Sequence, residues 1–437
     1  MTRLAALGRG TFRSFRSRNF RLFFFGQGIS QVGNWLTLVA QALLVLKLTG
    51  NGFDVGVLTA CQFAPVLLLG AWAGLVADRA DKRRLLVIVQ CFAMLQSFAL
   101  AALAFSGSPP VLAIYAVAVA GGIATAFDNP TRRSFVVEMV EEEDVQNAVS
   151  LNSALMTSSR IVGPALAGLL IATVGYGWCF LVDGLSYIAV IVGLQLMDVS
   201  KLRRSQPLVR AKRQVREGLK YARRTPELWI PLVMMTIVGT FAFNFQVVLP
   251  LLVTRTFGGT EATFTLLLSV VSVGSLAGAL ATARRRVTSV RHVVTGAFAF
   301  GSSMLVFAAA PSLAFALPIA VLMGFASMTF MVTSTAIVQM RADPVMRGRV
   351  LALQAIVFLG TTPIGGPIVG AICDAFGPRS GLVLGGLSGL AAGAWGIYAS
   401  ARNDARNPIT PDQAPVLSMS SMSSATASVG SRAGSSG

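Results

Sequence analysis

Charge is scarce in this sequence. Only 12% of its 437 residues are Asp, Glu, Lys or Arg, while 54% are hydrophobic. A water-soluble chain of this length needs far more charge to cover its surface, so the solvent for most of the chain is lipid. Acid is scarcer than base, with 18 Asp and Glu against 36 Lys and Arg. The basic residues sit in short clusters between apolar runs and not on a polar fold, so they report topology, and no nucleic-acid partner is expected. Cysteine is limited to Cys61, Cys91, Cys179 and Cys373, all in or beside apolar runs. Without CxxC spacing or a paired framework they read as small apolar residues. The single histidine, His292, adjoins a basic loop and reads as solvated. No GxxxxGK[ST], GxSxG or HExxH stretch occurs, which argues against nucleotide drive and against enzyme chemistry, and no metal or cofactor is expected. No small-residue cleavage site follows the first apolar run, so a cleaved signal peptide is not expected.

Long hydrophobic runs, in contrast, recur from Phe20 to Ser400. Each is long enough for a hydrocarbon core of roughly 30 Å at about 1.5 Å per helical residue. Breaks at Gly, Pro and charge place twelve spans near 20–47, 53–77, 84–106, 110–130, 146–174, 177–197, 228–254, 262–283, 292–310, 312–339, 347–374 and 379–400. The expected organisation is a basic amino-terminal segment (1–19), a six-span half (20–197), a basic linker (198–227), a second six-span half (228–400) and a disordered tail (401–437). Nine serines in the last twenty residues leave that tail unable to bury a core.

The alternation of loops puts 32 of the 36 Lys and Arg on the side of the amino terminus, leaving Lys47, Arg255 and Arg379 opposite and Arg160 inside a span. This bias predicts that both termini are cytoplasmic. The polar stretch 201–227 separates six spans from six, and a repeat emerges across it. Gly74-Leu75-Val76-Ala77-Asp78-Arg79 aligns with Gly278-Ala279-Leu280-Ala281-Thr282-Ala283 at an offset of 204 residues, and the pairs Gly163-Pro164 and Gly366-Pro367 are offset by 203. A duplicated six-span unit with parallel repeats predicts an all-α membrane protein with a binding site near the midplane, between the halves.

Five stretches carry a family likeness. They are Arg18 to Phe23, Gly74 to Arg84 (GLVADRADKRR), Asn129 to Arg133 where span 4 is expected to end, Arg160 to Gly168 (RIVGPALAG), and Arg347 to Val350. On these motifs, over about residues 18–400, the chain resembles the major facilitator superfamily. The likeness is to its bacterial twelve-span exporter branch, which includes enterobactin-type siderophore exporters and macrolide efflux pumps. The resemblance implies a multi-pass protein of the bacterial inner membrane that exports a drug-like compound or siderophore by alternating access, with protons as a coupling partner. An importer of the same fold, or a membrane sensor or assembly factor that no longer transports, are the alternatives. A monomer is expected.

In GLVADRADKRR, Gly74 permits close helix approach and Asp78 can accept bonds from the amino-terminal amides of a neighbouring helix. The resemblance implies that Asp78, Arg79 and Arg83 form a cytoplasmic gate, while plain topology charges are the bland reading. Gly163, Pro164 and Gly168 give a close-packed, bent helix, and their link to export comes from resemblance alone. Arg160 costs at least roughly 2.5–3.5 kcal/mol inside a span without a partner or water. Asp183, about 12 Å away in depth by helical rise, is the candidate partner. Asp128 and Asp183 are candidate proton carriers; the alternative for Asp128 is to cap or anchor a loop with Arg132 and Arg133. Gln27, Gln31 and Asn34 in span 1, with Asn244 and Gln246 in span 7, are candidate substrate contacts. Trp35, Phe241, Phe243 and Phe245 are candidate aromatic walls. Sparse charge favours a larger, neutral or weakly charged amphiphile over a small polyanion.

Overall fold

The computed structural model describes residues 12–203, 214–285 and 288–406. The expected tail therefore lies outside the described residues from 407 onward, as do 1–11 and part of the linker. Among the described residues, twelve segments are long and apolar enough to cross a membrane. In the first half they are α1 (Arg18–Thr49), α2 (Gly52–Arg79), α3 (Lys82–Phe105), α4 (Val111–Glu138), α5 (Val145–Thr173) and α6 (Tyr176–Gln195). A linker helix, α7 (Gln214–Arg224), precedes the second half. There, α8 (Pro226–Phe241), α9 (Phe245–Leu251) and a π-helical turn (Leu252–Thr256) together form the seventh span. It is followed by α10 (Glu261–Ala283), α11 (Val290–Ala308), α12 (Leu313–Arg341), α13 (Pro344–Phe376) and α14 (Pro378–Arg406).

Local chemistry sets most of the ends. Ser17 accepts from the Phe20 amide, Asn51 from Phe53 and Asp81 from Arg84, each satisfying an amide that an α-helix start leaves unpaired. Gly50 closes α1 with φ of 64°, a left-handed conformation that a side chain would strain. Two boundaries differ from expectation. The fourth span does not end near 130 but runs to Glu138, carrying Asp128, Asn129, Pro130 and Arg132 inside the helix. Proline is tolerated there because nearby hydroxyls, such as Thr131 bonding the Phe127 carbonyl at 2.7 Å, take up carbonyls of the disturbed turn. Arg132, counted from the sequence as a loop charge, is consequently buried. The last span likewise continues past 400 to Arg406.

The helices pack as two copies of one arrangement. α2 lies on α4, α1 on α5 and α6, and α3 on α4 and α6; in the second half α10 lies on α12, α8 on α13 and α14, and α11 on α12 and α14. Between the halves α2 crosses α13 and α5 crosses α10, as the two-fold repeat requires. Both crossings rest on glycine. A Cβ at Gly56 would strike the backbone of Gly366, and one at Gly168 would strike Thr265. Where hydrocarbon surrounds the bundle, such backbone approach supplies the packing that burial from water supplies elsewhere.

The linker is not a free tether. α7 lies against α13, where Glu217 pairs with Arg349 at 2.7 Å and the Tyr221 hydroxyl accepts from the Asp343 amide at 3.1 Å. The end of the bundle that carries α7 is called the linker end below, and the opposite end the far end.

Candidate functional site

One face of α1 is polar. Ser30, Gln31, Asn34, Thr37 and Gln41 recur at helical spacing and line a cavity of about 210 Å³. Across it stand Gln62 of α2, Gln90 and Gln96 of α3, Thr125, Asp128, Asn129 and Arg132 of α4, Met156 of α5 and Tyr187 of α6. Every lining residue belongs to the first half. Of the residues expected to contact cargo, Gln31 and Asn34 are in this chamber, and Gln31 donates to the Met156 sulfur at 2.9 Å. Gln27 is buried one turn below on α1 and does not line it.

Asp128 and Arg132 form a buried i, i+4 ion pair facing the chamber. Gln90 donates to the other Asp128 oxygen at 2.7 Å, and Gln62 donates to Gln41 at 2.8 Å. Several polar atoms of this network have no hydrogen-bond partner among the described residues: Nε and Nη1 of Arg132, Nε2 of Gln41 and Oε1 of Gln90. Buried polar groups left in this state are costly unless water or a ligand meets them, which makes the chamber a place to hold polar atoms of a guest. The sequence alternative of a loop anchor fails for Asp128, because the residue and its arginine both lie within α4.

Asp183 and Arg160 are not partners. Asp183 is fully buried between helices, accepting from Thr37 of α1 at 2.6 Å and Ser97 of α3 at 2.7 Å. Gly33 lets α1 approach this carboxyl, since a Cβ there would meet Asp183 and Ser186. Arg160 instead lies with its guanidinium 5.6 Å from the ring centroid of Trp35. A long arginine side chain does not reach Asp183 because Trp35 and Gly163 occupy the contact between α1 and α5.

The face of α5 that carries Arg160 shows which end is open. The outward face is marked by exposed Val162, Ala165 and Leu169, and at about 100° per residue Arg160 lies roughly 140–200° away from each. It therefore points into the bundle. Along this inner side Ser153 and Arg160 are exposed, whereas Gly163, Pro164, Ala167 and Gly168 are buried. The space between the halves thus narrows from the linker end to the far end.

At the far end the halves are tied together. The Asp374 carboxylate of α13 accepts from the backbone amides of Gly52 at 2.9 Å and Phe53 at 2.8 Å, the amino terminus of α2, and pairs with Arg255 at 2.8 Å. Arg255 also donates to the Gly50 carbonyl. Tyr176 donates to Glu261 at 2.9 Å there, and nearer the middle of the same crossing Ser269 donates to the Ile161 carbonyl at 3.3 Å. From the sequence, Asp374 and Arg255 look like ordinary charges at outer span ends. The only available signal was that so few charges lie on that side that an acid and a base there would tend to be matched.

The expected gate residues lie at the linker end. Asp78 and Arg79 end α2, and Gly74 lies one turn before Asp78. Arg83 donates to the Leu194 and Gln195 carbonyls at 2.6 and 3.1 Å, placing its charge on the carboxy terminus of α6 where the helix dipole favours it. Asn244 and Gln246 are not in the chamber. Asn244 sits buried in the break between α8 and α9, donating to the Thr240 carbonyl at 2.7 Å. Phe243 and Phe245 pack with Phe300, and Phe243 also meets Phe358, as an aromatic cluster of the second half.

Residues 9–421 match the family described as transmembrane secretion effector. The chain is 25% identical to the staphyloferrin A transporter of Staphylococcus aureus (strain NCTC 8325 / PS 47), over 82% of this chain and 90% of the relative. It is 26% identical to the multidrug efflux pump Tap of Mycolicibacterium fortuitum, over 82% and 89% respectively. Among solved structures, a bacterial homologue of the human lysosomal transporter Spinster, in an inward-facing and occupied conformation, superimposes with a TM-score of 0.71. It does so at 15% identity, covering 91% of this chain and 99% of that one, and shows a shared fold.

Proposed function

Because this chain belongs to the transmembrane secretion effector family of the major facilitator superfamily, we propose that it exports a small amphiphilic molecule from the cytoplasm, by alternating access and in exchange for protons. The observation that carries the reading is an amide-rich chamber holding a buried Asp128–Arg132 pair, inside a bundle tied shut at the far end and open toward the linker end. The linker end carries most of the positive charge, so the positive-inside bias makes it cytoplasmic and puts both termini there. Cargo then loads from the cytoplasm, and rocking of the repeats about the α2–α13 and α5–α10 crossings exposes it outside. The relative named as a multidrug efflux pump supports the direction.

Asp128 is the better proton carrier of the two candidates, because it lines the chamber, whereas Asp183 is enclosed by Thr37 and Ser97. Protonating Asp128 would free Arg132 to take a guest oxygen, linking proton and cargo occupancy. Driving force is ample at about 2.3 kcal/mol per charge per 100 mV and about 1.4 per pH unit. The gate role of Gly74, Asp78, Arg79 and Arg83 belongs to the same proposal, as the cytoplasmic lock released during the cycle.

Efflux of a fluorescent amphiphile from reconstituted vesicles, with and without an imposed pH gradient, tests the reading. Wild type should concentrate the probe against its gradient, Asp128→Asn should lose gradient-driven flux while still exchanging probe for probe, and Asp183→Asn should keep coupling. Full coupling in Asp128→Asn would remove that carboxylate from the mechanism, and uptake in the opposite sense in oriented vesicles would mark an importer.

A further inference from the structure

A guanidinium near the middle of a membrane span needs a counter-charge, and the protein does not provide one for Arg160. Among the described residues no carboxylate pairs with it, and its guanidinium lies over the Trp35 ring. Nor is an acid held in reserve at its depth. Asp128 is taken by Arg132 and Gln90, and Asp183 is enclosed between helices, where Thr37 and Ser97 bond one of its oxygens and the other has no partner among the described residues. In the second half Glu227, Glu261, Asp343 and Asp374 all lie at or beyond helix ends. The charge is nonetheless presented inward, on the exposed inner face of α5 and opposite its outward face. Trp35 lies against the guanidinium, whose N–H groups donate to no acceptor among the described residues and so remain for a planar oxyanion. Immediately beside Trp35, Asn34 is exposed and reaches the chamber, and Met156, one turn before Arg160, lines it as well.

We propose that Arg160, held on Trp35, is the cargo's charge-recognition site, and that the exported molecule is an amphiphile bearing one carboxylate or similarly compact anionic group. The proposal rests on the export reading above and narrows its substrate class. One unmatched cation calls for one negative charge. A polyanion would bring further charges into an interior whose other buried cation, Arg132, is already paired with Asp128, and a neutral cargo would leave Arg160 uncompensated at every transport step. Loading therefore neutralises the interior, and the loaded protein crosses between its two access states with that charge paired.

The test uses full-length protein and a panel of N-dansyl amino acids of increasing side-chain size, each as free acid and as methyl ester. Binding in detergent is followed by fluorescence anisotropy, and efflux is followed from loaded proteoliposomes. Wild type should prefer acid over ester by about tenfold or more, the range of a charge-assisted hydrogen bond in a partly wet site. Arg160→Gln should lose that preference, weakening for the acids while the esters stay within about twofold, and Arg160→Lys should retain most of it. Thermal melting in detergent separates loss of recognition from loss of fold. Equal weakening for acid and ester in a folded Arg160→Gln protein, or no acid preference in wild type, overturns the inference while the esters still report export. A panel in which no member moves through wild type overturns the export reading and this inference together.

Discussion

Replacing Asp374 with alanine removes a carboxylate that joins the two halves at the far end through the Gly52 and Phe53 amides and through Arg255. Two contributions are lost. Capping the amino terminus of α2 is worth about 1 kcal/mol, discounted because Phe53 keeps the Asn51 side chain as a second acceptor at 2.9 Å. The Arg255 pair, with side chains 35% and 24% exposed, adds about 0.5–1 kcal/mol. The sum, about 1.5 kcal/mol, shifts the balance between far-end-closed and far-end-open states by roughly tenfold. Spin labels at Leu112 in the first half and Phe376 in the second suit the measurement, since both side chains are exposed and stand at the far end of different halves. The four free cysteines are replaced in every background. Electron-resonance distance distributions should gain a longer component in Asp374→Ala, and Arg255→Gln should produce about half the shift. A distribution identical to wild type, in protein that melts normally, would refute the claim that this carboxylate holds the far end closed.

Further substitutions separate the roles assigned to individual groups. Asp183→Ala should lower stability by about 2–4 kcal/mol, because the buried Thr37 and Ser97 hydroxyls lose their shared acceptor, whereas Asp183→Asn should cost less; thermal melting in detergent distinguishes them, and cargo preference should be unchanged. Gly168→Ala should abolish efflux by striking Thr265, and Thr265→Gly should restore part of it, whereas Gly56→Ala meets the Gly366 backbone and should find no such side-chain suppressor in the same flux assay. Tyr176→Phe, which loses only the 2.9 Å bond to Glu261, should shift the spin-label distances in the same direction as Asp374→Ala but by less, in keeping with about 1 kcal/mol for one hydrogen bond.

The sequence carried the architecture further than the site. Span positions, the two-fold repeat and the family likeness could be read because each rests on short-range pattern: apolar length, breaks at polar turns, and motifs of five to eleven residues. The α4 boundary was misplaced because Asp128, Pro130, Arg132 and Arg133 look like the end of a span. In the folded chain Arg132 is neutralised by Asp128 one turn earlier, so the helix continues to Glu138. Within the site, Gln31, Asn34 and Asp128 were picked out as polar residues inside apolar runs, and they do line the chamber. Asn244 lies outside the chamber, at a helix break where its amide nitrogen bonds the Thr240 carbonyl one turn away.

Pairing was beyond the sequence. Arg160 and Asp183 were the natural couple by depth, yet depth is only one coordinate, and Gly33, Gly163 and Trp35 set where α5 and α6 lie around α1. Asp374 and the amides it caps are more than 320 residues apart in the chain, and no local pattern announces such a contact. The sequence by itself determined that this protein lives in a bilayer as twelve helices in two related halves. A hydrocarbon core obliges each helix to satisfy its own backbone and to be apolar along its own length, and both demands are local. Only the tertiary structure decided which buried charges are matched, which one is left facing the interior, and which end is tied shut. Those outcomes depend on how closely separate helices approach, and glycines and hydroxyls scattered along the chain control that approach jointly.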